Sequence, residues 1–457
     1  LFGFYIPTYA ALGYGYADIT HLMTYPTLFM GIGNIIGMPI AIAVGRRIVL
    51  LASTVILVVS AVLCACATNY EWHLAARMVL GLAAGQSEAL VPLIIQEIFF
   101  VHERSTFLMA QQLVQTTFTS VWVLFAGPIA GKITPGWWDG LGAILAGVQL
   151  IAAFLLLPET KYNRPMASFQ ESSFGTGGHG DSESSHVASA PALNLFTHRP
   201  SLDFDKYAPR TFRPDIRLWV DAPDWNKAAE CLVQMFQLLF FLAVFWALLL
   251  NGLTLGVDIA IGTTYGNIVT SPPYNWPQNS ASYANCGQII VAFIGLPLLG
   301  QFSDTLIQWR ARRNEGIHEP EARLIPLILP IVVGIFTAVL YGQGAANTTK
   351  YHWFVYVWAI AAYFFAFIGA NIVAITYLLD SYPARAGPIL VIICAFCGII
   401  SFGVSYGIAP FIERCGYDGA FNAFGGLTGA LGLLGVVIYV FGKKFRAITG
   451  KYAKDKN

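Results

Sequence analysis

Long apolar stretches recur along the chain and are separated by short polar segments. A helix needs about 20 apolar residues to cross roughly 30 Å of hydrocarbon. Stretches of this kind occur at residues 24–43, 48–68, 73–98, 106–130, 140–157, 232–256, 284–301, 324–342, 351–379, 386–410 and 419–442. The pattern therefore predicts an all-α polytopic membrane protein with eleven spans in this sequence.

A further apolar stretch, from Leu1 to about Ala17, is shorter than a span. It lacks the basic residues and the small-residue cleavage site of a signal peptide, which is the competing interpretation. We interpret it as the end of a first span that is truncated at the N-terminus here. The intact protein is then expected to have twelve spans.

The apolar pattern stops between Pro158 and about Glu230. Within this gap, Ser168–Ser189 is rich in Gly, Ser and acidic residues and is predicted to be disordered. Six spans on each side indicate two six-helix bundles with a substrate site between them. The predicted divisions are residues 1–160 (N-terminal bundle), 161–230 (central loop, partly disordered), 231–446 (C-terminal bundle) and 447–457 (tail).

Composition agrees with a membrane protein. Hydrophobic residues make up 56% of the chain and charged residues 11%, whereas soluble domains carry roughly 25% charged residues. The net charge of +1 excludes the basic excess of a nucleic-acid-binding protein. We therefore expect the lipid bilayer as a partner and no nucleic acid. A small organic substrate, protons and a monomeric state are further expectations, which composition alone does not supply.

The basic residues lie mainly in alternate loops. Of the 26 Lys and Arg residues, 22 fall on one predicted side of the membrane, including those of the central loop and the C-terminal tail. Cytoplasmic loops are enriched in Lys and Arg, so this side is predicted to be the cytoplasm. The sequon Asn347-Thr348-Thr349 then lies outside, which makes Asn347 a candidate for glycosylation.

Short motifs occupy the ends of the predicted spans. They are Gly45-Arg46-Arg47, Arg77-x-x-x-Gly81, Gly127-Pro128-x-x-Gly131, Pro158-Glu159-Thr160-Lys161-Tyr162, Gly300-x-x-x-Asp304, Asn314–Leu324 and Asp380-Ser381-Tyr382-Pro383. In this order and spacing they resemble the major facilitator superfamily, most closely the polyamine and organic-cation carriers among the fungal twelve-span drug:proton antiporters. The resemblance implies the major facilitator fold, proton-coupled transport by alternating access and no cofactor. It also implies a fungal plasma membrane, with the vacuolar membrane as the alternative.

The resemblance further implies which residues control the conformational change. These gating candidates are Gly45, Arg46, Arg47, Gly127, Pro128, Gly131, Gly300 and Asp304. The alternative for Arg46 and Arg47 is that they anchor a loop among lipid headgroups. The alternative for the fifth-span glycines and proline is a helix kink without a role in coupling. Because Lys132 replaces the last glycine of the antiporter motif, antiport is favoured over symport only modestly.

Glu88 is the strongest candidate for a functional residue. It lies inside the fourth span, where an ionisable group is costly and normally faces a cavity or a partner. At 100° per residue, Arg77, Gly81, Gly85 and Glu88 fall within about 80° on one helical face. We expect Glu88 to bind a proton or a cationic substrate and Arg77 to modulate it; the alternative is a structural contact between helices.

Three further residues are weaker candidates for proton or substrate binding. Asp258 is predicted to end the seventh span near the outer surface, where it attracts cations or is an ordinary loop carboxylate. Asn371 and Tyr377 belong to a tenth span rich in aromatic residues, which suit organic cations. Cys394-x-x-Cys397 has no second cysteine pair or His cluster nearby in the sequence, so no metal site is predicted there. Whether Cys286 and Cys415 form a disulfide is not decided by the sequence.

Other classes of protein fit less well. His102-Glu103 lacks the second His of the zinc-protease motif, and no phosphate-binding loop with the Walker sequence occurs, so we predict no enzyme. The sequence thus predicts a secondary active transporter for organic cations or polyamines. The alternatives are an efflux pump for hydrophobic drugs or secondary metabolites and a non-transporting nutrient receptor on the same fold.

Overall fold

The computed structural model describes residues 9, 12–98, 104–132, 135–160, 223–295, 320–382 and 385–453, together with 297, 300, 302 and 305. All regular structure in these residues is helical. Asp304 and nearly all of the predicted central loop lie outside the described residues.

Five long helices form the first half of the chain. They are α1 (Tyr16–Val44), α2 (Arg46–Ala65), α3 (Tyr70–Ile98), α4 (Arg104–Lys132) and α5 (Pro135–Leu156). Gly45 separates α1 from α2 because its backbone has a φ of 141°, a value that residues other than glycine rarely adopt. Each helix is long enough to cross a bilayer at about 1.5 Å per residue.

The second half begins with a short amphipathic helix. Its elements are α6 (Trp225–Leu239), α7 (Leu242–Thr270), a 3-10 helix (Gln278–Asn285), α8 (Cys286–Ile290) with a π turn (Val291–Gly295), a 3-10 helix (Pro320–Leu327), α9 (Ile328–Ala346), α10 (Phe354–Ser381) and α11 (Ala386–Ala453). α11 breaks at Gly416, where φ is 74° and ψ is 171°. We call residues 386–415 its first arm and residues 417–453 its second arm.

The all-helical, multi-span fold class is confirmed. Eight helical segments of the described chain are long and apolar enough to cross a membrane. The last of them, Gly387–Lys444, has 58 residues. A straight helix of that length would measure about 87 Å, far more than the roughly 30 Å hydrocarbon core, so the break at Gly416 divides it into two passes.

The predicted seventh span, residues 232–256, is wrong. The chain turns at Phe240 and Phe241 and only then enters α7. The apolar run is continuous because α6 carries apolar residues on both faces; Val233 and Phe236 are exposed while Cys231 is buried. As a consequence, Asp258 lies in the middle of α7 rather than at its outer end.

The two halves pack closely through α1 and the first arm of α11. A Cβ atom added to Gly31 would lie 2.5 Å from the carbonyl oxygen of Ala395. Toward the predicted outer side, His21 stacks on Tyr406 with ring centroids 5.3 Å apart. Toward the predicted cytoplasmic side, residues of α1, α3, α6, α10 and α11 share one apolar core. The two halves are therefore in contact at Gly31 itself, on its predicted outer side and on its predicted cytoplasmic side.

Helix α6 bridges the halves at the predicted cytoplasmic side. The backbone N–H of Asp224, its N-cap residue, donates to the carbonyl oxygen of Ala43 at 3.2 Å. At its other end, the guanidinium of Arg385 donates to Oε1 of Gln237 at 3.3 Å. The buried face of α6, which includes Cys231, packs into the shared apolar core. Opening the cytoplasmic side requires α6 to separate from one of the halves.

This arrangement makes the reactivity of Cys231 a measure of α6 docking. Burial, together with the neighbouring Glu230 carboxylate, raises the pKa of the Cys231 thiol to about 11. The thiolate is the reactive form, so N-ethylmaleimide labelling at pH 7.5 should be at least about a hundredfold slower in the folded protein than in SDS. We expect the folded-state rate to keep rising up to about pH 11, because the thiol stays mostly protonated below its pKa.

The measurement uses a single-cysteine variant that retains Cys231 and replaces the other cysteines with alanine, with labelling followed by mass spectrometry. A matched variant that retains only the exposed Cys66 serves as the control and should label quickly. Equal labelling rates in the two folded variants would show that α6 is not docked as described.

Candidate functional site

Buried polar groups without partners occur on helices of both halves. Such groups are costly inside a protein, so a cluster of them indicates a place that binds water or a ligand. Within the described residues, the side-chain atoms that are buried and make no hydrogen bond include those of Thr117, Ser120, Asn251, Tyr363 and Ser405, with one oxygen each of Asn34 and Gln86. They belong to α1, α3, α4, α7, α10 and the first arm of α11.

Glu88 projects from α3 toward the other half of the protein. Its side chain is half-buried and forms no hydrogen bond or ion pair with any residue of the described ranges. The Glu88 carboxylate lies near the thiols of Cys394 and Cys397 in the first arm of α11. On the same helix, Gly81 and Gly85 pack against backbone carbonyls of α1. Glu88 is thus an acidic group at the interface of the two halves.

Asp258 provides a second acidic group, from α7. It is half-buried and has no hydrogen-bonding or ionic partner in the part of the chain that the structure covers. The ring of Tyr363 on α10 lies within its electrostatic reach, and the Tyr363 hydroxyl is fully buried. Asp258 therefore faces a polar, aromatic environment in the middle of the membrane-spanning region rather than the outer solution.

Asn251 lies between the two carboxylates. It precedes Asp258 by seven residues, which is about two turns and about 10 Å on one helical face. The thiol of Cys397, which the Glu88 charge also influences, donates to the backbone carbonyl oxygen of Asn251 at 3.5 Å. The Asn251 amide is 0% exposed, and both its polar atoms lack partners among the described residues. One site can therefore offer two carboxylates and an amide.

The other predicted binding residues are placed differently. Arg77 does not contact Glu88; it pairs with Asp139 at 3.3 Å and with His73 at 2.8 Å. Eleven residues of α3, about 16 Å, separate Arg77 from Glu88. On α10, Asn371 is half-buried and Tyr377 is fully buried.

Asn251 is absent from the sequence-based predictions. A single amide directly after Leu248-Leu249-Leu250 is the signal that points to it, because a lone polar residue in an apolar span normally has a function. His73 and Asp139 are absent as well. Both lie near the predicted outer ends of their helices, where polar residues are ordinary, so their position along the chain does not distinguish them.

The family model of the Major Facilitator Superfamily matches residues 1–388. The chain belongs to this family. It is similar to an uncharacterised transporter of the family from Schizosaccharomyces pombe, with 24% identity over 97% of this chain and 80% of the relative. It is also similar to the protein HOL1 of Saccharomyces cerevisiae, with 22% identity over 93% of this chain and 80% of HOL1.

Solved structures of the family show the same fold. The human organic anion transporter MFSD10 aligns with a TM-score of 0.56 and 13% identity, over 94% of this chain and 88% of that one. The xylose transporter XylE of E. coli, in a partially occluded inward-open conformation, aligns with a TM-score of 0.56 and 16% identity over the same shares. The protein is thus a secondary transporter of this superfamily and not an enzyme.

The superfamily motif at Gly45-Arg46-Arg47 contacts the motif that contains Glu159. The Glu159 carboxylate accepts hydrogen bonds from the backbone N–H groups of Arg46, at 3.0 Å, and Arg47, at 3.2 Å. In return, Nη2 of Arg47 donates to the carbonyl oxygen of Phe154 near the end of α5, at 2.8 Å. An acid at a helix N-terminus and a cation at a helix C-terminus both stabilise helix ends. Arg47 is 1% exposed and does not anchor a loop among headgroups.

The other predicted gating residues belong to α4 and to the chain after the π turn at Val291–Gly295. Gly127, Pro128 and Gly131 belong to α4, but their surroundings lie outside the described residues. Gly300 is helical and buried, and Asp304 is not described. Asn347 caps α9 and donates from Nδ2 to the carbonyl oxygen of Gln343 at 3.5 Å. Cys286 and Cys415 are free thiols.

The contact of Gly45 with Glu159 predicts a large effect of a small substitution. A Cβ atom at residue 45 would lie 2.6 Å from Oε2 of Glu159, and the φ of +141° disfavours any side chain. We expect Gly45→Ala to lower the free energy of unfolding in detergent by about 2–3 kcal/mol, and Glu159→Gln by about 1 kcal/mol, through loss of a charged helix cap.

Gly147→Ala is the matched control, since a Cβ atom there meets open space. It should leave stability unchanged or raise it slightly, because alanine favours helix more than glycine does. Equal stability of the Gly45→Ala and Gly147→Ala variants, measured by denaturation in detergent, would contradict the described contact.

Proposed function

We propose that the protein is a proton-coupled carrier of organic cations, with polyamines as its preferred substrates, that works by alternating access. The single observation that carries this proposal is the pair of carboxylates Glu88 and Asp258. They project from opposite halves into the middle of the spanning region, and neither has a protein partner within the described ranges.

An isolated charge is costly in an apolar interior. A carboxylate removed from water is stable only when a proton or a cation neutralises it. A proton and an ammonium group then compete for the same oxygen atoms. When the carboxylate is protonated on one side of the membrane, it releases the cation. When it loses that proton on the other side, it can bind the next cation. Such competition supports exchange of the substrate for protons, as the fifth-span motif also does.

The spacing of the acids favours an extended substrate over a compact one. α7 runs beside the first arm of α11, with Gly252 against Ile400 and Gly256 against Val404. This register places Asp258 level with about residue 406 of that arm, 9–12 residues beyond Cys394 and Cys397 near Glu88, so Asp258 lies roughly 14–18 Å further along the helix axis. A single ammonium group reaches one carboxylate, whereas a polyamine chain can place amines at both. Asn251 supplies a hydrogen-bonding amide between them, and Tyr363 an aromatic face.

We also propose that the protein is a monomer of the fungal plasma membrane with its central loop and C-terminus in the cytoplasm, and that residues 1–160 and 231–446 act as two rocking bundles. The distribution of basic residues and the similarity to fungal relatives support this. Fluorescent tagging and protease accessibility of a C-terminal epitope in intact cells test it. Cleavage of the epitope by protease added outside intact cells would show that the C-terminus faces outward, opposite to the proposed orientation.

Equilibrium binding tests the proposal at its site. Labelled spermidine should bind the purified protein at pH 8 and be released on acidification, because protons and amines compete. Unlabelled spermidine should displace the label, and hydrophobic drugs should not. Binding that depends on neither pH nor Glu88 would overturn the proposal. Displacement by hydrophobic drugs alone would favour an efflux pump for such compounds.

A further inference from the structure

A hydrogen bond joins the two halves of the protein near the predicted outer side. Ser282 lies in the 3-10 helix of the second half, Gln278–Asn285, and Leu124 lies in α4 of the first half. The hydroxyl of Ser282 donates to the backbone carbonyl oxygen of Leu124 at 3.1 Å. Because Ser282 is only 8% exposed, this contact between the halves is largely shielded from water.

The acceptor of this bond is the carbonyl that Pro128 leaves without its usual helical donor. In an α-helix, each backbone N–H donates to the carbonyl oxygen four residues earlier. Proline has no N–H, so the carbonyl oxygen of Leu124 cannot receive that bond within α4. A backbone carbonyl that is removed from water without a donor is costly. The hydroxyl of Ser282 supplies the missing donor from the other half of the protein.

Residues of the second half hold Ser282 in position. Nδ2 of Asn285 donates to the backbone carbonyl oxygen of Ser282 at 3.1 Å and to the hydroxyl of Tyr265 on α7 at 3.0 Å. Asn285 is 6% exposed, so water competes little for these bonds. Tyr265 follows Asp258 by seven residues, which is about two turns along the same side of α7. Hydrogen bonds therefore connect the helix that carries Asp258 to α4.

We propose that Ser282 is a gating residue, which keeps the outer side of the transporter closed by donating to the Leu124 carbonyl. In alternating access the outer side opens when the two halves separate there, and this separation breaks the bond. With an ordinary residue at position 128, the carbonyl would be paired within α4 in both states. Proline makes the carbonyl depend on Ser282 in the closed state and on water in the open state.

The gate depends only on contacts between the halves, so it does not rest on the identity of the substrate. A position that reports its opening lies one turn further into the membrane on α4. Ser120 precedes Leu124 by four residues, which places both on the same side of the helix. It is 1% exposed, and α8 of the second half packs against α4. A cysteine at residue 120 is therefore covered until the halves separate.

Labelling of a Ser120→Cys variant tests the proposal. The native cysteines are replaced with alanine, and a water-soluble methanethiosulfonate is added to the purified protein in lipid nanodiscs. The loss of one hydrogen bond of ordinary strength shifts an equilibrium by about threefold to tenfold. We expect Ser282→Ala to raise the labelling rate by this factor. Pro128→Ala should raise it similarly, because the restored N–H pairs with the Leu124 carbonyl inside α4.

The double variant distinguishes a shared hydrogen bond from two separate losses of packing. If both substitutions remove the same bond, Ser282→Ala should add less than about twofold to the rate of the Pro128→Ala variant. Ser271→Ala, at an exposed residue just after α7, is the control and should leave the labelling rate unchanged. An unchanged rate in Ser282→Ala, or fully additive effects of the two substitutions, would overturn the proposal.

Discussion

Glu88→Gln is expected to reduce gradient-driven spermidine accumulation in proteoliposomes by about a hundredfold. Glutamine keeps the size of the side chain but removes both the proton-binding group and the negative charge. Removing one partner of a desolvated charge pair costs about 3 kcal/mol, which corresponds to roughly two powers of ten in affinity. Since the same oxygen atoms exchange protons, the residual uptake should no longer respond to the sign of the pH gradient.

Glu71→Gln is the matched control for this variant. Glu71 lies on the same helix as Glu88 but is exposed near the predicted outer end of α3. It should transport at the wild-type rate. Full coupled transport by Glu88→Gln, with correctly folded protein in the vesicles, would exclude Glu88 from both proton and substrate binding and leave it a structural role.

Asp258→Asn is expected to discriminate between polyamines and monoamines. If one substrate molecule contacts both carboxylates, loss of Asp258 should weaken spermidine binding by about thirtyfold to a hundredfold, again from the 2–3 kcal/mol of a desolvated ionic contact. Binding of butylamine, whose single ammonium group is held at Glu88, should change less than about threefold. Competition against labelled spermidine, repeated for each ligand, gives the two affinities.

The monoamine is the internal control in this experiment, since a general disturbance of the site weakens both ligands. Equal loss for spermidine and butylamine would mean that Asp258 acts on the structure or on proton transfer alone. No change for either ligand would remove Asp258 from the site.

Most of the spans were predictable because each depends on a local property, a run of apolar residues long enough to cross the bilayer. The wrong span, residues 232–256, shows the limit of that property. Residues 232–256 look continuous because α6 carries apolar residues on its exposed face as well as on its buried face, and nothing in their composition identifies the turn at Phe240. That error moved Asp258 from the middle of a helix to its predicted end.

The site was predictable only in part, because its residues come from distant parts of the chain. Glu88 is recognisable as an isolated charge inside a span. Helical spacing also placed Arg77 on its face, yet Arg77 pairs across to Asp139, 62 residues away. The contact between Arg46 and Glu159 joins positions 113 residues apart. Periodicity within one helix contains no information on such pairs.

Labelled spermidine uptake by the wild-type protein is the most direct test of the proposed carrier. Proteoliposomes with an imposed pH gradient are compared with matched vesicles in which an ionophore has collapsed the gradient. We expect accumulation above equilibrium in the vesicles with a gradient and simple equilibration in those without one. Absence of flux under gradients of either sign, from protein shown to be folded and inserted, would contradict it and direct the search to hydrophobic efflux substrates.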